Sequence, residues 1–309
     1  MFVADAHCDT LCKLAVEQVP LEECMVTPRR MQAGGVGLQT LAMFAGVKGC
    51  AGTPYADAVR MMKAVKSLPF RVFTGSLPDE PPQNPAGVLS IEGGEVLEGS
   101  VQRLEEFYHA GRIRMIALTW NNENEIAHPA AQNDEEGLKP FGFELLREMD
   151  RRGILADVSH LNLRGFWDVV EHAQLPPVAS HSNLRTLCDH RRNLYQDQVK
   201  AIIERGGFIG INFYSDFLAQ GRPAVLEDVW RHIDGIAQLG GAHVLGFGSD
   251  FDGIDAWPEG LASPADFPAL IELMRKHGYP EQAIADIAGL NLWRLMKKAE
   301  SGASRLAGK

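Results

Sequence analysis

The chain lacks the features that would direct it into or across a membrane. It has no apolar run of about 18 residues, which a membrane-spanning helix requires. Its first residues show no charged region followed by an apolar stretch, so we predict no signal peptide. The cysteines are odd in number, and no two have Cys-x-x-Cys spacing, which favours free thiols in a reducing compartment. They are Cys8, Cys12, Cys24, Cys50 and Cys188. We therefore expect a cytoplasmic location and no membrane partner.

Basic residues are fewer than acidic ones. Several motifs that bind nucleotides or present a catalytic nucleophile are also missing. The formal net charge is −10, which argues against a nucleic-acid partner. The chain contains neither a GxxxxGK[ST] phosphate loop nor a GxSxG nucleophile elbow. Gly246-Phe247-Gly248 lacks the third glycine of a dinucleotide-binding loop. No linker, repeat or low-complexity run divides the 309 residues, so we predict one domain over 1–309.

What the sequence does contain is a regular alternation of short apolar runs and longer amphipathic stretches. The apolar runs predict eight strands. These strands are Phe2–Ala6, Gly37–Met43, Gly87–Ile91, Arg114–Thr119, Gly153–Val158, Pro177–Ser180, Gly207–Phe213 and His243–Gly248. Arg71–Thr74 is a candidate for a short extra strand.

The stretches between these strands predict helices. The predicted helices are Pro54–Val65, Val101–Ala110, Phe143–Arg152, Leu163–His172, Gln196–Arg205, Leu226–Leu239, Ala265–His277 and Glu281–Ala299. Strands that alternate with helices pair in parallel, and eight such units in a chain of this length predict an α/β fold of the (β/α)8 TIM barrel type. An open doubly wound sheet is the alternative.

Titratable side chains gather where the predicted strands end. In a (β/α)8 barrel the active site lies at the carboxyl ends of the strands. The groups at these ends are His7, Asp9, Glu92, His160, His181 and Asp250, with Asp252 close behind. His7 and Asp9 are two residues apart, so an extended chain turns both toward the same side, where they can bind one divalent cation.

The size of this set predicts two metal ions. A catalytic zinc site uses three protein ligands and leaves one position open, so five ligands exceed what one site needs. We predict that His7, Asp9, His160 and His181 bind two ions and that Glu92 bridges them, because a carboxylate has two oxygens. A hydroxide shared by both ions would be the nucleophile for attack on a carbonyl.

Other residues near these positions have simpler interpretations. Cys8 is expected to be a buried thiol on the opposite side of the first strand, and Glu95 is expected to lie off the third strand. His128 and His190 are loop residues that we expect near the ligands but not among them. The remaining histidines are read as structural or solvated; they are His109, His172, His232, His243 and His277.

The sequence resembles the renal (membrane) dipeptidase family, within the amidohydrolase-like metal-dependent hydrolases, over essentially its whole length. The motifs that carry the resemblance are Asp5–Thr10, Ile91–Gly94, Leu118–Asn121, Asp157–His160, Ser180–Ser182, Arg191–Asn193, Asn212–Tyr214 and Gly248–Gly253. The spacings between His160, His181 and Arg192 match the family as well.

The resemblance implies a dipeptidase with two Zn²⁺ per chain. His7 and Asp9 would bind one zinc, His160 and His181 the other, and Glu92 would bridge. Asp250 would contact the attacking water or the substrate's amino group and pass the proton to the leaving amine. Arg192 would bind the terminal carboxylate. The other implied substrate-binding residues are Trp120, Asn121 and Tyr214.

The family resemblance also implies small dipeptides as substrates, including ones with a D-residue at the C-terminal side, and a homodimer. One departure concerns Trp120, because many family members carry a histidine there, thought to stabilise the oxyanion. Tryptophan has a single N–H donor and does not titrate, and Asn121 or zinc alone are the other candidates for that role. This departure leaves two alternatives open: an amidohydrolase acting on another amide, lactam or ester, and a non-catalytic barrel binding protein.

Overall fold

The computed structural model describes residues 1–46, 52–132 and 134–306, with side chains up to residue 302. Cys50, one of the expected free thiols, lies outside the described residues. The strands are β1 Val3–Asp5, β2 Val36–Phe44, β3 Arg71–Val72, β4 Ala86–Glu92, β5 Met115–Ala117, β6 Leu155–Asp157, β7 Val178–Ala179, β8 Phe208–Ile211 and β9 Leu245–Phe247.

Eight of these strands close into a parallel barrel. The hydrogen-bonded order is β2-β1-β9-β8-β7-β6-β5-β4, and β2 also pairs with β4 along the whole of β4, from Leu38↔Ala86 to Phe44↔Glu92. The predicted TIM barrel is therefore confirmed, and the open-sheet alternative is wrong. β3 pairs only with Ala86 and Gly87, whereas β5 pairs with the last three residues of β4. The extra strand thus lies outside the ring, at the amino end of β4.

The helices alternate with the strands, as an all-parallel barrel requires. They are α1 Thr10–Ala15, α2 Pro28–Gly34, α3 Pro54–Ala64, α4 Val101–Gly111, α5 Pro140–Arg152, α6 Leu163–His172, α7 Gln196–Arg205, α8 Ser215–Leu218, α9 Leu226–Ile236, α10 Phe267–Lys276, α11 Glu281–Ala285 and α12 Asn291–Leu306. α5 begins three residues before the predicted start because Pro140 occupies its first turn, where the missing N–H costs no hydrogen bond.

Two predicted helices contain π turns. The helix predicted to end at Leu239 passes into a π turn at Ala237–Gly241, in which Gly240 leaves the helical conformation with φ 91°. The helix predicted over Glu281–Ala299 consists of α11, a π turn at Asp286–Leu290 and α12. Hydrophobic periodicity continues through such turns, so the sequence pattern does not reveal them.

The barrel strands are buried on both faces, because helices cover the outside and side chains fill the inside. A cluster of phenylalanine rings, Phe213, Phe247, Phe251 and Phe267, packs around the carboxyl ends of β8 and β9 with centroid distances of 5.1 to 6.3 Å. These rings support the loops that carry the polar rim. No helix in the part of the chain that the structure describes has the length and apolar character needed to cross a bilayer.

Candidate metal centre

Each side chain of the predicted metal set lies at one rim of the barrel. Glu92 is the last residue of β4, and the others follow the carboxyl ends of β1, β6 and β7. Their side chains are almost entirely buried. β1 ends at Asp5, one residue earlier than predicted, but an isolated bridge between Cys8 and Phe251 keeps the chain extended beyond His7. The side chains of His7 and Asp9 lie close together, with Nε2 and Oδ2 3.5 Å apart.

Glu92 lies at the centre of the set, and its two oxygens face different groups. Oε2 is 3.1 Å from Nε2 of His7. Oε1 is 3.0 Å from Nε2 of His160 and 3.5 Å from Nε2 of His181. A carboxylate placed between two sets of imidazole nitrogens in this way has the geometry of a bridging ligand.

The His7 half of the set includes two further carboxylates. Nε2 of His7 is 3.5 Å from Oδ2 of Asp9 and 3.8 Å from Oδ1 of Asp250. Asp250 is fixed from two sides, because its backbone N–H donates to the carbonyl of His7 and the side-chain amide of Asn212 donates to Oδ2 at 2.9 Å. Oδ1 of Asp250 is thereby turned toward His7.

In the other half, hydrogen bonds select the tautomers of His160 and His181. Nδ1 of His160 lies 3.2 Å from Oδ1 of Asn121, an acceptor, so Nδ1 carries the proton. The hydroxyl of Ser180 donates to Asp157, so its oxygen accepts from Nδ1 of His181 at 2.7 Å. Both Nε2 atoms are then unprotonated, and they face each other across 3.0 Å. Two lone pairs at this separation repel each other unless a cation lies between them.

Burial keeps these two imidazoles neutral. It lowers the pKa of His160 to about 4, with a further contribution from the charge of Arg192. Burial likewise holds the pKa of His181 well below its usual value. A metal ion binds only the unprotonated nitrogen, so both rings are in the ligand form at neutral pH.

The groups around His7 have the opposite electrostatics. Burial lowers the pKa of His7, but the charges of Glu92 and Asp9 outweigh burial and hold it well above its usual value. Burial opposes ionisation of Glu92, yet the facing histidines keep its pKa well below the usual value. Burial and the charge of Glu92 raise the pKa of Asp9 to about 8. Ionisation of Asp9 as well as Glu92 would therefore require positive charge beyond that of His7.

The residues present fit a pair of divalent cations. Within the described residues, Nε2 of His7 and Oδ1 of Asp9 are buried and have no hydrogen-bond partner, although polar atoms lie close by. Ligand atoms of His7, Glu92 and His181 lie within 4.8 Å of one another, as do those of His7, Asp9 and Asp250. Imidazole nitrogens and carboxylate oxygens are the ligands that zinc binds.

The rim holds its side chains with an unusual backbone conformation. His160, Asp250 and Asp252 have φ of 66°, 65° and 68°, in the left-handed region that residues other than glycine seldom adopt. Such conformations are often found where a fold holds a functional group in place. A Cβ on Gly253 would lie 2.0 Å from Oδ2 of Asp9, so only glycine fits beside that carboxylate.

A cavity of about 360 Å³ opens above the cluster. Glu92, His160 and Asp250 form part of its floor, and Trp120 and Tyr214 form part of its walls. Asn121 also lines the cavity, but its side-chain oxygen faces His160. Asn121 was predicted to contact the substrate. The structure gives it a second role, because its side chain orients His160, a candidate metal ligand.

Arg192 lines the same cavity and is only 7 % exposed. Its Nη2 donates to the carbonyl of His181 at 3.4 Å, its guanidinium lies 5.5 Å from the centroid of Phe217, and its Nε has no partner among the described residues. Burial lowers its pKa to about 10, so it remains charged at neutral pH. The neighbouring Arg191 is exposed, so only one of the two arginines belongs to the cavity.

Several nearby residues have structural partners instead. Asp252 accepts hydrogen bonds from the backbone of Met25 and Val26 and from the hydroxyl of Thr10, which ties the segment before α2 to the rim. Glu95 lies off β4 in a 3-10 turn, as expected, and accepts from Asn124.

The other residues near the rim also lie outside the cluster. Cys8 is fully buried and contacts the hydroxyl of Thr10. His128 faces two glutamates, Glu123 and Glu136. His190 accepts from the backbone N–H of Arg192 and stacks on Phe217. It therefore supports the arginine and not a metal ligand.

Sequence reasoning missed the residues that orient the ligands. Asp157, Ser180 and Asn212 lie inside motifs that carry the family resemblance, yet no role was assigned to them. Asp157 accepts from two backbone N–H groups and from Ser180, which in turn contacts His181. The signal available was their position: each is at a strand end, next to or near a predicted ligand.

A closed (β/α)8 barrel with buried histidines and carboxylates at its carboxyl rim belongs to the class of metal-dependent hydrolases. More particularly, the chain belongs to the membrane dipeptidase family (peptidase family M19), whose model matches residues 1–309. The family is one of metallo-dipeptidases, which implies metal use and a dipeptide substrate.

Individual relatives agree with this assignment. An uncharacterised protein from the pqqA 5′ region of Klebsiella pneumoniae is 36% identical over 222 residues, which is 69% of this chain and 81% of that protein. An uncharacterised dipeptidase of Schizosaccharomyces pombe is 33% identical over 228 residues, 72% of this chain and 55% of that protein. The match therefore spans about half the length of the yeast relative.

Among solved structures, the chain resembles a metallopeptidase from Rhodobacter sphaeroides. That structure was determined with a phosphinate mimic of the dipeptide L-Ala-D-Ala. The TM-score is 0.87 at 26% sequence identity, and the match covers 97% of this chain and 99% of the other. The likeness therefore extends over the complete barrel.

Proposed function

We propose that this chain is a zinc-dependent dipeptidase that hydrolyses the peptide bond of small dipeptides and binds two zinc ions. The observation that carries the proposal is the position of Glu92. One of its oxygens faces His7 and the other faces His160 and His181, on the floor of a cavity that also exposes Arg192.

In this proposal each ligand has a defined place. His7 and Asp9 would hold one zinc, His160 and His181 would hold the other, and Glu92 would contribute to both. When bound, the two ions would supply hydroxide as the nucleophile and positive charge for the oxyanion. Asn121 and the Asp157–Ser180 pair keep the two histidine rings in the ligand tautomer.

Arg192 would recognise the C-terminal carboxylate of the substrate. A guanidinium presents a planar fork of donors that matches a carboxylate at two points. An amide at the same place would leave a buried charge unpaired. This requirement explains physically why the substrate would be a dipeptide and not a longer chain.

Asp250 would contact the amino group of the substrate and would also transfer the proton that the attacking water loses. Asn212 occupies its Oδ2, which leaves Oδ1 toward the cluster. Oδ1 would take the proton that the attacking water loses and deliver it to the leaving nitrogen as the C–N bond breaks. The products are two free amino acids. Tyr214 and Trp120 would enclose the substrate between opposite walls of the cavity.

The proposed substrates include L-D as well as L-L dipeptides. Support comes from the Rhodobacter sphaeroides relative, whose bound ligand mimics L-Ala-D-Ala.

We also propose a homodimer in a reducing compartment. Cys8, Cys24 and Cys188 are buried free thiols. The dimer rests on family resemblance, and light scattering tests the oligomeric state directly.

A metal count combined with a substrate panel tests the function. Purified protein is loaded with zinc, its metal content is measured, and it is assayed on L-L and L-D dipeptides, on tripeptides and on C-terminally amidated dipeptides. We expect two zinc ions per chain and turnover of free dipeptides only. Two zinc ions without dipeptide hydrolysis would favour an amidohydrolase with another amide, lactam or ester substrate. A protein that binds no metal would overturn the proposal.

A further inference from the structure

One wall of the cavity is aromatic, and the proposed chemistry gives it no role beyond enclosing the substrate. Phe44, the last residue of β2, and Trp120, which follows β5, are both half-buried and line the cavity. Their ring centroids are 4.9 Å apart in an edge-to-face arrangement, a favourable geometry for aromatic pairs. We call these two rings, with Gly46, the aromatic wall.

Gly46 belongs to the wall because it leaves both rings uncovered. A Cβ at this position would lie 2.6 Å from the ring of Phe44 and 2.9 Å from the ring of Trp120. Any other residue there would force the rings apart. The wall is therefore a packed unit of the described residues and not two isolated side chains.

The wall adjoins the reacting centre. Phe44 is the register partner of Glu92 on the neighbouring strand. The ring of Trp120 is 6.4 Å from the ring of His160. A group bound against the wall is thus within one side-chain length of the bond to be cleaved.

Arg192 and Asp250, the charged residues proposed to hold the ends of the substrate, follow strands that do not carry the aromatic wall. Around the ring of eight strands, β5 and β9 are four places apart, so Trp120 stands opposite Asp250. Arg192 is in the loop after β7, and Tyr214 follows β8. A dipeptide whose charged ends are held by Arg192 and Asp250 lies along this polar half, and one of its side chains then faces the aromatic wall.

From this arrangement we infer that the aromatic wall is a side-chain subsite that selects dipeptides with a large apolar side chain. The inference rests on the proposed dipeptidase function. The apolar surface of two half-buried rings gains from contact with hydrocarbon and offers almost no partner to an amide or a charge. Trp120 therefore contributes apolar recognition at the rim.

The test compares matched side chains at each position of the substrate. Zinc-loaded protein is assayed with Gly-Leu and Gly-Asn and with Leu-Gly and Asn-Gly, because leucine and asparagine are similar in size and differ in polarity. We expect kcat/KM to favour leucine by roughly tenfold or more in at least one series, the range that a hydrophobic subsite provides. Equal values in both series would overturn the inference while leaving the dipeptidase function intact.

Variants assign the preference to the wall. Trp120→Ala should reduce the leucine-to-asparagine ratio about tenfold, Phe44→Leu should reduce it less, and Trp120→Phe should restore most of it. The ratio within one variant is insensitive to a general loss of active enzyme. Trp230→Phe, a substitution on α9 outside the cavity, is the matched control and should leave the ratio unchanged. A ratio that survives both Trp120→Ala and Phe44→Leu would overturn the inference. Absence of turnover with every dipeptide would overturn the proposed function as well.

Discussion

At the scale of single residues, the unusual feature is an arginine buried in a cavity with one nitrogen unpartnered. We predict that Arg192→Ala raises KM for dipeptides and lowers kcat/KM by a factor of roughly 30 to 100. This corresponds to the loss of a charge-assisted contact of about 2 to 3 kcal/mol. Zinc content should stay at the wild-type level. Steady-state kinetics together with a metal count measure both quantities.

Arg191→Ala is the matched control for this substitution. Arg191 is exposed, so its removal should change the kinetics little. An amidated dipeptide supplies a second control, because wild-type protein and Arg192→Ala should handle it equally poorly. If Arg192→Ala loses as much activity on the amide as on the free acid, the arginine does not bind the carboxylate.

A second residue-scale prediction concerns Asp157, which acts on His181 through Ser180. Asp157→Asn replaces an acceptor of the Ser180 hydroxyl with a group that can donate, and the preferred tautomer of His181 is then lost. Residues that orient metal ligands in this way typically contribute 10- to 100-fold to metal affinity. We therefore expect zinc affinity, measured by competition with a chromogenic chelator, to fall by roughly that factor.

Asp150→Asn provides a closely matched comparison. Asp150 is also a buried carboxylate that accepts two backbone N–H groups, from Gln174 and Leu175, but it lies on α5 away from the rim. Both variants should lose some thermal stability, and only Asp157→Asn should lose zinc affinity. Equal zinc affinities in the two variants would show that Asp157 has a structural role alone.

At the scale of elements, strand positions were predictable because a parallel barrel buries both strand faces, which produces short apolar runs. The hydrogen-bonded strands are shorter than the apolar runs that predicted them. For example, the predicted strand Gly153–Val158 corresponds to β6, which covers Leu155–Asp157. The common position of the candidate ligands at one rim was also predictable, because each lies at or just after the carboxyl end of a strand. The hydrogen bonds of Asn121 and Asp252 could not be predicted, since their partners, His160 and the backbone of Met25, are 39 and 227 residues away in sequence.

Through His232, helix α9 is linked to two segments that follow the carboxyl ends of barrel strands. Nδ1 of this buried ring accepts the backbone N–H of Leu184, after β7, and Nε2 donates to the carbonyl of Leu218 in α8. Burial lowers the pKa of His232 to about 4. The ring can make both contacts only when neutral, because protonation would place a hydrogen on Nδ1 against the N–H of Leu184.

This arrangement predicts a loss of stability in mild acid. The folded-state pKa of about 4 lies below the usual 6.5, so the unfolded chain takes up a proton first as the pH falls. The contribution of His232 is fully present above about pH 6.5 and declines between pH 6.5 and pH 4. It amounts to a few kcal/mol, on the order of 1.4 kcal/mol per pKa unit.

The measurement is the free energy of unfolding in urea from pH 7.5 to pH 5. His232→Gln should be less stable than wild type at pH 7.5, because the amide replaces the ring imperfectly, and the difference should narrow toward pH 5. His243→Gln alters an exposed histidine and serves as the control. A constant difference between wild type and His232→Gln across this range would contradict the assignment.

At the scale of the whole molecule, the strands of the barrel and its carboxyl rim differ in what stabilises them. The strands are apolar and buried, whereas the rim gathers buried carboxylates and imidazoles, and burial together with the charge of Glu92 opposes ionisation of Asp9. Metal binding to the folded rim should therefore stabilise the whole barrel, because the unfolded chain does not hold the ligands together. The apolar strands should still fold when metal is absent.

We accordingly predict that a chelator lowers Tm without unfolding the protein at room temperature. Free zinc at 100 times its dissociation constant stabilises a protein by about 2.7 kcal/mol. For a chain of this size that is a shift of roughly 4 °C. Tm should rise with the logarithm of zinc concentration, and circular dichroism of the chelated protein should keep its native shape. In Glu92→Gln the dependence on zinc should largely disappear, because the bridging charge is gone. A wild-type Tm that does not respond to chelator or zinc would mean that the rim cluster is not a metal centre.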